Sequence, residues 1–364
     1  MNNIRFCTRC VMNDASDSSI SFDTEGRCNY CTRAVERAEA VYFPGSEGQR
    51  RLEAMLTRIK EENKDKAYDC LMGISGGLDS SYLAYLGHKW GLRILAVHID
   101  DGFDTEISKS NIAKLCKAAN IELRVIKPDP GQYYDLTLAY LKAGVPNLAI
   151  PQDNILFAFL CDTVKKEGLR YFLSGDNFAL ESILQRGHVF DSMDMVNLRA
   201  IHRKFGTKGI NKLKFISSYK KYLRIKAGTV ITLCPLNYVE YNRDRAFKEL
   251  YDFCGFEYYG GKHLENMLTA FVQLRWMPEK FGVDKRSSHL SSMIVSGQMS
   301  REEALGELEK PLYDPALMSR YEAYISEKLG LAEGELEALL KAPAHEHQEY
   351  SFDRVSPLIR KILH

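Results

Sequence analysis

The sequence predicts an α/β protein on a doubly wound parallel sheet, with a cysteine-bearing N-terminal segment and a mostly helical C-terminal region. Three observations carry that expectation. Between residues 68 and 173, short apolar runs alternate with longer amphipathic stretches, the pattern of parallel strands joined by crossover helices. A Gly-Gly turn follows the first apolar run and opens a helical pattern. Four of the nine cysteines fall in the first 31 residues, in a stretch rich in Asp, Ser and Asn with little apolar periodicity.

Taken in order, the segment 1–45 is too polar to bury much surface and needs a staple to fold. Cys7 and Cys10 form one C-x2-C pair and Cys28 and Cys31 a second, 17 residues apart. Two matched knuckles suit one tetrahedral Zn2+ in a closed structural site. A charge-rich helix is expected from Glu47 to about Asp65. Tyr68–Ile74, Arg93–Ile99, Glu122–Ile126 and Arg170–Leu173 read as strands. Ser80–Trp90, Ser108–Ala119 and Gln152–Glu167 read as the helices between them. Residues 195–226 hold ten Lys or Arg and no acid, and run into the apolar stretch Val230–Leu233. The natural divisions are 1–45, 46–236 and 237–364. In the last, helices are expected at Arg243–Cys254, His263–Pro278, Ser287–Ser296 and Arg301–Glu309, with two short ones over Ser319–Leu340.

Composition narrows the function classes. With 45% hydrophobic and 27% charged residues the chain can build a sizeable core. A net charge of +1 gives no global attraction to nucleic acid or an anionic membrane. No stretch approaches the roughly 20 apolar residues of a membrane span, and the start MNNIRFCTRC has no secretory h-region. Cysteines without an export signal point to reduced thiols or metal ligation, and so to the cytoplasm. Cys70, Cys116, Cys161 and Cys254 are expected in the core, with Cys234 near a strand end.

Ser75-Gly76-Gly77-Leu78-Asp79-Ser80-Ser81 sits at the strand-to-helix junction. Glycines without a Cβ let backbone N–H groups approach an anion closely, and the helix N-terminus adds oriented donors. Ser75, Ser80 and Ser81 contribute hydroxyls. Asp79 fits a phosphate site only if a divalent cation, Mg2+, shares it. The plainer alternative is a Gly turn with Ser80 as helix cap. The full string is neither GxxxxGK[ST] nor GxGxxG.

SGGLDSS in this setting resembles the PP-loop of the ATP pyrophosphatases. The resemblance implies a HUP-like α/β fold and an enzyme that binds ATP, transfers AMP to a carbonyl or carboxylate oxygen and releases pyrophosphate. A nitrogen or sulfur nucleophile then displaces AMP. It also implies that Asp100, at the end of the second strand, lies by the adenosine. Gly175, in Ser174-Gly175-Asp176-Asn177, joins the nucleotide site. Asp176 and Glu181 stand where relatives hold Mg2+, although many relatives carry a pair of aspartates there.

The C-terminal third holds Tyr258-Tyr259-Gly260-Gly261-Lys262-His263, Pro278–Arg286, His289–Ile294 and Gly297–Leu305. This run is similar to the N-acetyl sugar amidotransferases of surface-polysaccharide (lipopolysaccharide O-antigen) biosynthesis, and the likeness extends over nearly the whole chain. It implies conversion of an acetamido group on a nucleotide-activated N-acetyl sugar to an acetamidino group, through an O-adenylyl imidate. None of the cysteines has a glutaminase setting, so ammonia is expected from a partner glutaminase with a cyclase-like channelling subunit. A pyrophosphate leaving group needs cations, for which Lys262, Lys285 and Arg286 are the candidates; solvated surface charge is the alternative for each. His263 and His289 could donate to substrate or move a proton, or be structural. Arg301 is explained equally by capping or packing. The rival reading is a tRNA-modifying enzyme, with Phe205, Phe215, Tyr219 and Tyr222 interleaved in the basic segment. The five remaining cysteines show no paired spacing, so nucleic acid is not the expected partner.

Overall fold

The computed structural model describes residues 4–15, 17, 19–185 and 190–356. Five strands form one all-parallel sheet: β1 (Cys70–Gly73), β2 (Ile94–Ile99), β3 (Glu122–Ile126), β4 (Tyr171–Leu173) and β5 (Ile231–Leu233), in the order β3-β2-β1-β4-β5. This is the doubly wound sheet that the alternating pattern predicts. The central strand is the most apolar, with Cys70, Leu71 and Met72 all fully buried. Side chains alternate between the two faces. Cys70, Met72, Ile94 and Ala96 meet one set of helices, whereas Leu71, Leu95 and Val97 meet Leu160 and Val164 on the other side.

The helices preceding and threading the sheet are α1 (Asn29–Val41), α2 (Ser46–Glu62), α3 (Leu78–Lys89), α4 (Glu106–Ala118), α5 (Pro130–Ala143) and α6 (Ile150–Lys166). Their starts are set by local chemistry. Thr105 and Asp129 accept first-turn N–H bonds at α4 and α5, and Pro occupies the first turn of α5 and α6. Both α1 and α5 are additional to the helices read from the sequence.

The basic segment 195–226 does not form one element. It splits into α8 (Met195–Phe205) and α9 (Ser218–Lys226), following the four-residue α7 (Phe178–Glu181). The connection between them is tied down from outside. Asp135 accepts from the Thr207 and Lys208 N–H groups, and the Asn154 side chain bonds both the N–H and the carbonyl of Ile216. Lys212 pairs with Asp129, and Lys214 and Arg224 pair with Asp162, so part of the charge is neutralised within the chain.

Beyond β5 come α10 (Arg243–Cys254), α11 (Met267–Phe271), α12 (Met277–Phe281), α13 (Arg286–Val295), α14 (Arg301–Glu309), α15 (Pro315–Leu329) and α16 (Glu335–Lys341). The single helix expected over His263–Pro278 is instead α11, a five-residue π segment Val272–Trp276, and α12. Asn266 caps α11 and delays its start. Pro278, having no N–H, cannot complete the regular ladder, and the wider turn precedes it. Trp276, Met277, Ile325 and Leu329 share a core with Tyr133, Tyr140, Leu198 and Ile201 of α5 and α8. The C-terminal helices are thereby packed onto α5 and α8. Among the described residues no helix is long and apolar enough to cross a membrane.

Candidate active site

The loop between β1 and α3 forms one wall of a cavity of about 830 Å³ at the C-terminal end of the sheet, where open α/β sheets bind ligands. Gly76 has φ +79°, and a Cβ there would run into Ser108. Only glycine meets both conditions comfortably. The Ser108 hydroxyl donates to the Ser75 carbonyl at 2.9 Å, and the Gly77 N–H donates to Ser75 Oγ at 3.2 Å. Gly175, after β4, abuts the start of α3: a Cβ there would sit 3.2 Å from the Ser80 nitrogen. Ser75, Gly77, Asp79, Ser80 and Gly175 line the cavity.

Three carboxylates face the same space: Asp79, Asp176 and Glu181. Asn177 accepts the Leu180 N–H and so caps the short helix that presents Glu181. The Tyr241 hydroxyl donates to Asp79 Oδ1 at 2.5 Å. Lys262 Nζ lies 3.1 Å from Asp79 Oδ2 and 2.9 Å from Glu181 Oε1. Burial opposes the Lys262 charge, but Asp79 and Glu181 outweigh it and raise its pKa. Burial likewise raises Asp176, helped by the Glu181 charge. Glu181 itself is lowered, because His263 and Lys262 overcome its desolvation. These carboxylates fit a divalent cation chemically, and Lys262 is the cation that balances two of them here.

His263 is one of two non-glycine residues in the left-handed region among the described residues, with φ +60°. Its Nε2 lies 3.7 Å from Glu181 Oε1, and its ring lies 5.8 Å from that of His289. Burial pulls the His263 pKa down, yet the Glu181 carboxylate more than compensates and it ends above its ordinary value. His289, buried beside the Lys262 and His263 charges, is pushed well below. The two neighbouring imidazoles are thus shifted in opposite directions.

Five expected site residues sit elsewhere or are otherwise engaged. Gly76 is buried against Ser108 and is not on the cavity wall. Asp100 is not on the cavity wall: β2 ends at Ile99, and Asp100 pairs with Lys127 at 2.9 Å. β2 instead presents Ile99 and His98, the latter held by the Ile74 carbonyl (2.8 Å) and Asp104 Oδ2 (2.9 Å). Ser81 is fully buried in α3, away from the wall. Lys285 is absent from the wall, and burial lowers its pKa against the charge of Asp17. Arg286 borders the cavity, but its guanidinium is occupied by Asp284 and by the carbonyls of Glu307, Leu308 and Lys310, the C-terminal end of α14. It closes a helix end that exposes unpaired carbonyls.

Other residues enter that the sequence did not single out. Tyr259 accepts the Leu78 N–H at the first position of α3 (2.7 Å), and Glu265 Oε1 accepts from Ser75 Oγ (3.1 Å). Glu265 is 7% exposed and its Oε2 has no hydrogen-bond partner. Asp153, at the start of α6, has a carboxyl pushed up to about 6 by burial, with Lys221 and His263 opposing. The signal for Tyr259 and Glu265 was their adjacency to Gly260–His263; nothing in the sequence marks Asp153.

Outside the cavity, the four N-terminal cysteines are fully buried with their sulfurs clustered. The Cys7–Cys31 and Cys10–Cys28 sulfurs are each 3.6 Å apart, close to the roughly 3.8 Å edge of a tetrahedron with about 2.3 Å Zn–S bonds. Backbone N–H groups of Arg9, Cys10 and Cys28 point at Cys7 Sγ, as thiolate ligands require. The donor set fits Zn2+.

Comparison with known proteins gives the region behind the cavity a family. Residues 265–363, which include Glu265, Arg286 and His289, match the family "LPS biosynthesis protein WbpG-like, C-terminal domain". Over 307 residues the chain is 22% identical to an uncharacterized protein of Methanocaldococcus jannaschii, covering 84% of this chain and 93% of that one. It is 29% identical over 171 residues to the tRNA(Ile)-lysidine synthase of Chlamydia muridarum, 44% of this chain and 50% of that protein. It thus spans about half the length of that synthase. Similar solved structures include an NH3-dependent NAD synthetase from Campylobacter jejuni, at 14% identity and TM-score 0.34, covering 78% of this chain and 95% of that chain. An NMN synthetase from Francisella tularensis gives 14%, 0.33, 83% and 95%.

Proposed function

We propose that the protein is an ATP-dependent amidotransferase that converts the acetamido group of a nucleotide-activated sugar to an acetamidino group. The observation that carries this reading is the shared cavity: an SGGLDSS anion loop on one side and residues of the WbpG-like domain on the other. Its volume suits a nucleotide together with part of a second substrate. Residues Ser75, Gly76, Gly77 and Ser80 bind the pyrophosphate portion of ATP through backbone N–H and hydroxyl donors at the start of α3. Asp79, Asp176 and Glu181 would hold Mg2+, which supplies charge neutralisation for the leaving group.

The acetamido carbonyl oxygen attacks the α-phosphorus, the bond to pyrophosphate breaks, and an O-adenylyl imidate forms. Lys262 stabilises the charge that develops on the departing pyrophosphate. With the acetamido N–H retained, ammonia then adds to the imidate carbon and AMP leaves with the former carbonyl oxygen, so C=O becomes the amidinium C=NH2+. The incoming nitrogen sheds a proton. An imidazole of the cavity, His263 or His289, is the group placed to receive it. Ammonia comes from a partner glutaminase through a cyclase-like subunit, and the setting is the cytoplasm. The test is AMP and pyrophosphate release with ATP, Mg2+ and ammonium across a panel of nucleotide-linked N-acetyl sugars. Release that depends on one such sugar supports the reading. Release stimulated by bulk tRNA alone replaces it with base modification, the reading that the tRNA(Ile)-lysidine synthase match favours.

A further inference from the structure

The segment Tyr259–Asn266 occupies the anion loop with groups that copy what the loop is built to hold. Lys262 Nζ bridges Asp79 and Glu181 at 3.1 and 2.9 Å, a single positive charge between two carboxylates from different elements. Glu265 Oε1 accepts the Ser75 hydroxyl at 3.1 Å and lies so close over the loop that a Cβ on Gly77 would come within 2.5 Å of it. The Tyr259 hydroxyl takes the Leu78 N–H at 2.7 Å, one of the donors that a helix start leaves unsatisfied. A cation thus stands between the carboxylates, and a carboxyl oxygen, its pKa raised by burial, stands on the glycine loop.

We propose that this segment is a resident mimic of the metal–pyrophosphate pair, which must withdraw for the ligand to enter and returns when it leaves. The proposal rests on the phosphate-site reading above. A phosphate oxygen and the Glu265 carboxylate cannot share Ser75 and the Gly77 backbone, because like charges at contact repel. A divalent cation likewise cannot sit between Asp79 and Glu181 while the Lys262 ammonium is there. The means of withdrawal differ at the two ends. Gly260 (φ +100°) and Gly261 precede Lys262, and His263 follows in a left-handed conformation, so the backbone under Lys262 can re-set. The Glu265 backbone is fixed, its carbonyl accepting from Thr105 N–H and Oγ at 3.0 and 3.1 Å. Its carboxylate leaves by side-chain rotation.

Two consequences follow for ligand binding. Metal alone must expel Lys262 while Glu265 still blocks the loop, and anion alone must displace Glu265 while Lys262 remains engaged. Each ligand therefore prepares the site for the other, and the coupling is reciprocal. Once released, Lys262 is free to pair with the incoming phosphate.

The test is calorimetric titration of the intact chain with MgCl2 alone, inorganic pyrophosphate alone, and each in the presence of the other. The expected wild-type result is that each ligand tightens the other by about tenfold or more. Glu265→Gln should tighten metal-free pyrophosphate binding by about tenfold. Lys262→Met should tighten Mg2+ binding by a similar factor while weakening pyrophosphate, opposite signs from one substitution. Thermal unfolding checks that the variants fold, and Glu265→Asp, which draws the carboxylate back from Ser75, replaces a Gln variant that does not. Unchanged or weaker binding of the corresponding ligand in both variants, with the wild type binding normally, overturns the mimic alone. No binding of pyrophosphate to any of the proteins, with or without Mg2+, overturns the phosphate-site reading and the mimic with it.

Discussion

Arg301 reaches back 294 positions to the carbonyl of Cys7, donating from Nε at 3.2 Å and from Nη2 at 3.0 Å. It also bonds the Cys10 carbonyl at 3.2 Å, and Val11 N–H donates to Ser291 Oγ. The cysteine segment is therefore keyed into α13 and α14, beside the helix that carries His289. A residue that capping would have explained equally well turns out to join α14 to the cysteine segment.

That contact predicts linked effects. The protein should carry one zinc per chain by elemental mass spectrometry, and stripping it should cost several kcal/mol of stability, because the segment has little other core. Arg301→Ala should cost about 1–3 kcal/mol in denaturant unfolding, as buried carbonyls lose a charged donor. A chain without zinc, or one whose unfolding midpoint ignores chelator, contradicts the assignment.

The glycine loop permits a controlled comparison. Gly76→Ala combines a left-handed φ with a collision against Ser108; Gly168→Ala has φ +63° and open space. The second should cost about 1–2 kcal/mol from backbone conformation alone. The first should exceed it and abolish ATP binding in the same titration. Equal costs would mean that Ser108 moves aside freely.

The two histidines of the site should titrate on opposite sides of the ordinary 6.5. By NMR, His263 should ionise above that value and His289 well below it. Glu181→Gln should pull His263 down, since its carboxylate is what overcomes burial. The sign of the stability effect follows. The His263–Glu181 contribution is complete below pH 6.5 and is lost as pH rises through the raised folded pKa. Two histidines titrating together near 6.5 would refute this geometry.

Asp153 works in the opposite direction. Its pKa rises from 3.8 to about 6, so the folded state holds a proton that the unfolded state has released. This penalty is absent below pH 3.8, grows between the two values and is complete above about 6. Asp153→Asn should therefore stabilise the protein at pH 7 by about 1–3 kcal/mol and change little at pH 3.5. Urea unfolding at the two pH values measures it.

The sheet was legible because parallel strands buried on both faces read as short continuous apolar runs, and Cys70–Gly73 and Ile94–Ile99 fall within theirs. The loop was legible because its glycines and its junction are local. Function at a distance was not. Lys262 and Arg286 were expected in the same role, yet one bridges carboxylates on two remote helices and the other closes a helix end beside Asp284. Only tertiary structure separates them. Asp100 failed for a smaller reason: it lies beyond the strand's end at Ile99, and Lys127 is within reach. The Asn266 cap and Pro278 likewise broke a helix that apolar periodicity alone would have kept whole.

The central claim is that the acetamido oxygen is the atom activated, and one labelling experiment tests it directly. An N-acetyl sugar nucleotide bearing heavy oxygen in the acetamido carbonyl is incubated with the protein, ATP, Mg2+ and ammonium. The account predicts that the label appears in AMP and that the sugar returns with nitrogen in its place. Label retained in the sugar, with AMP unlabelled or absent, would contradict it.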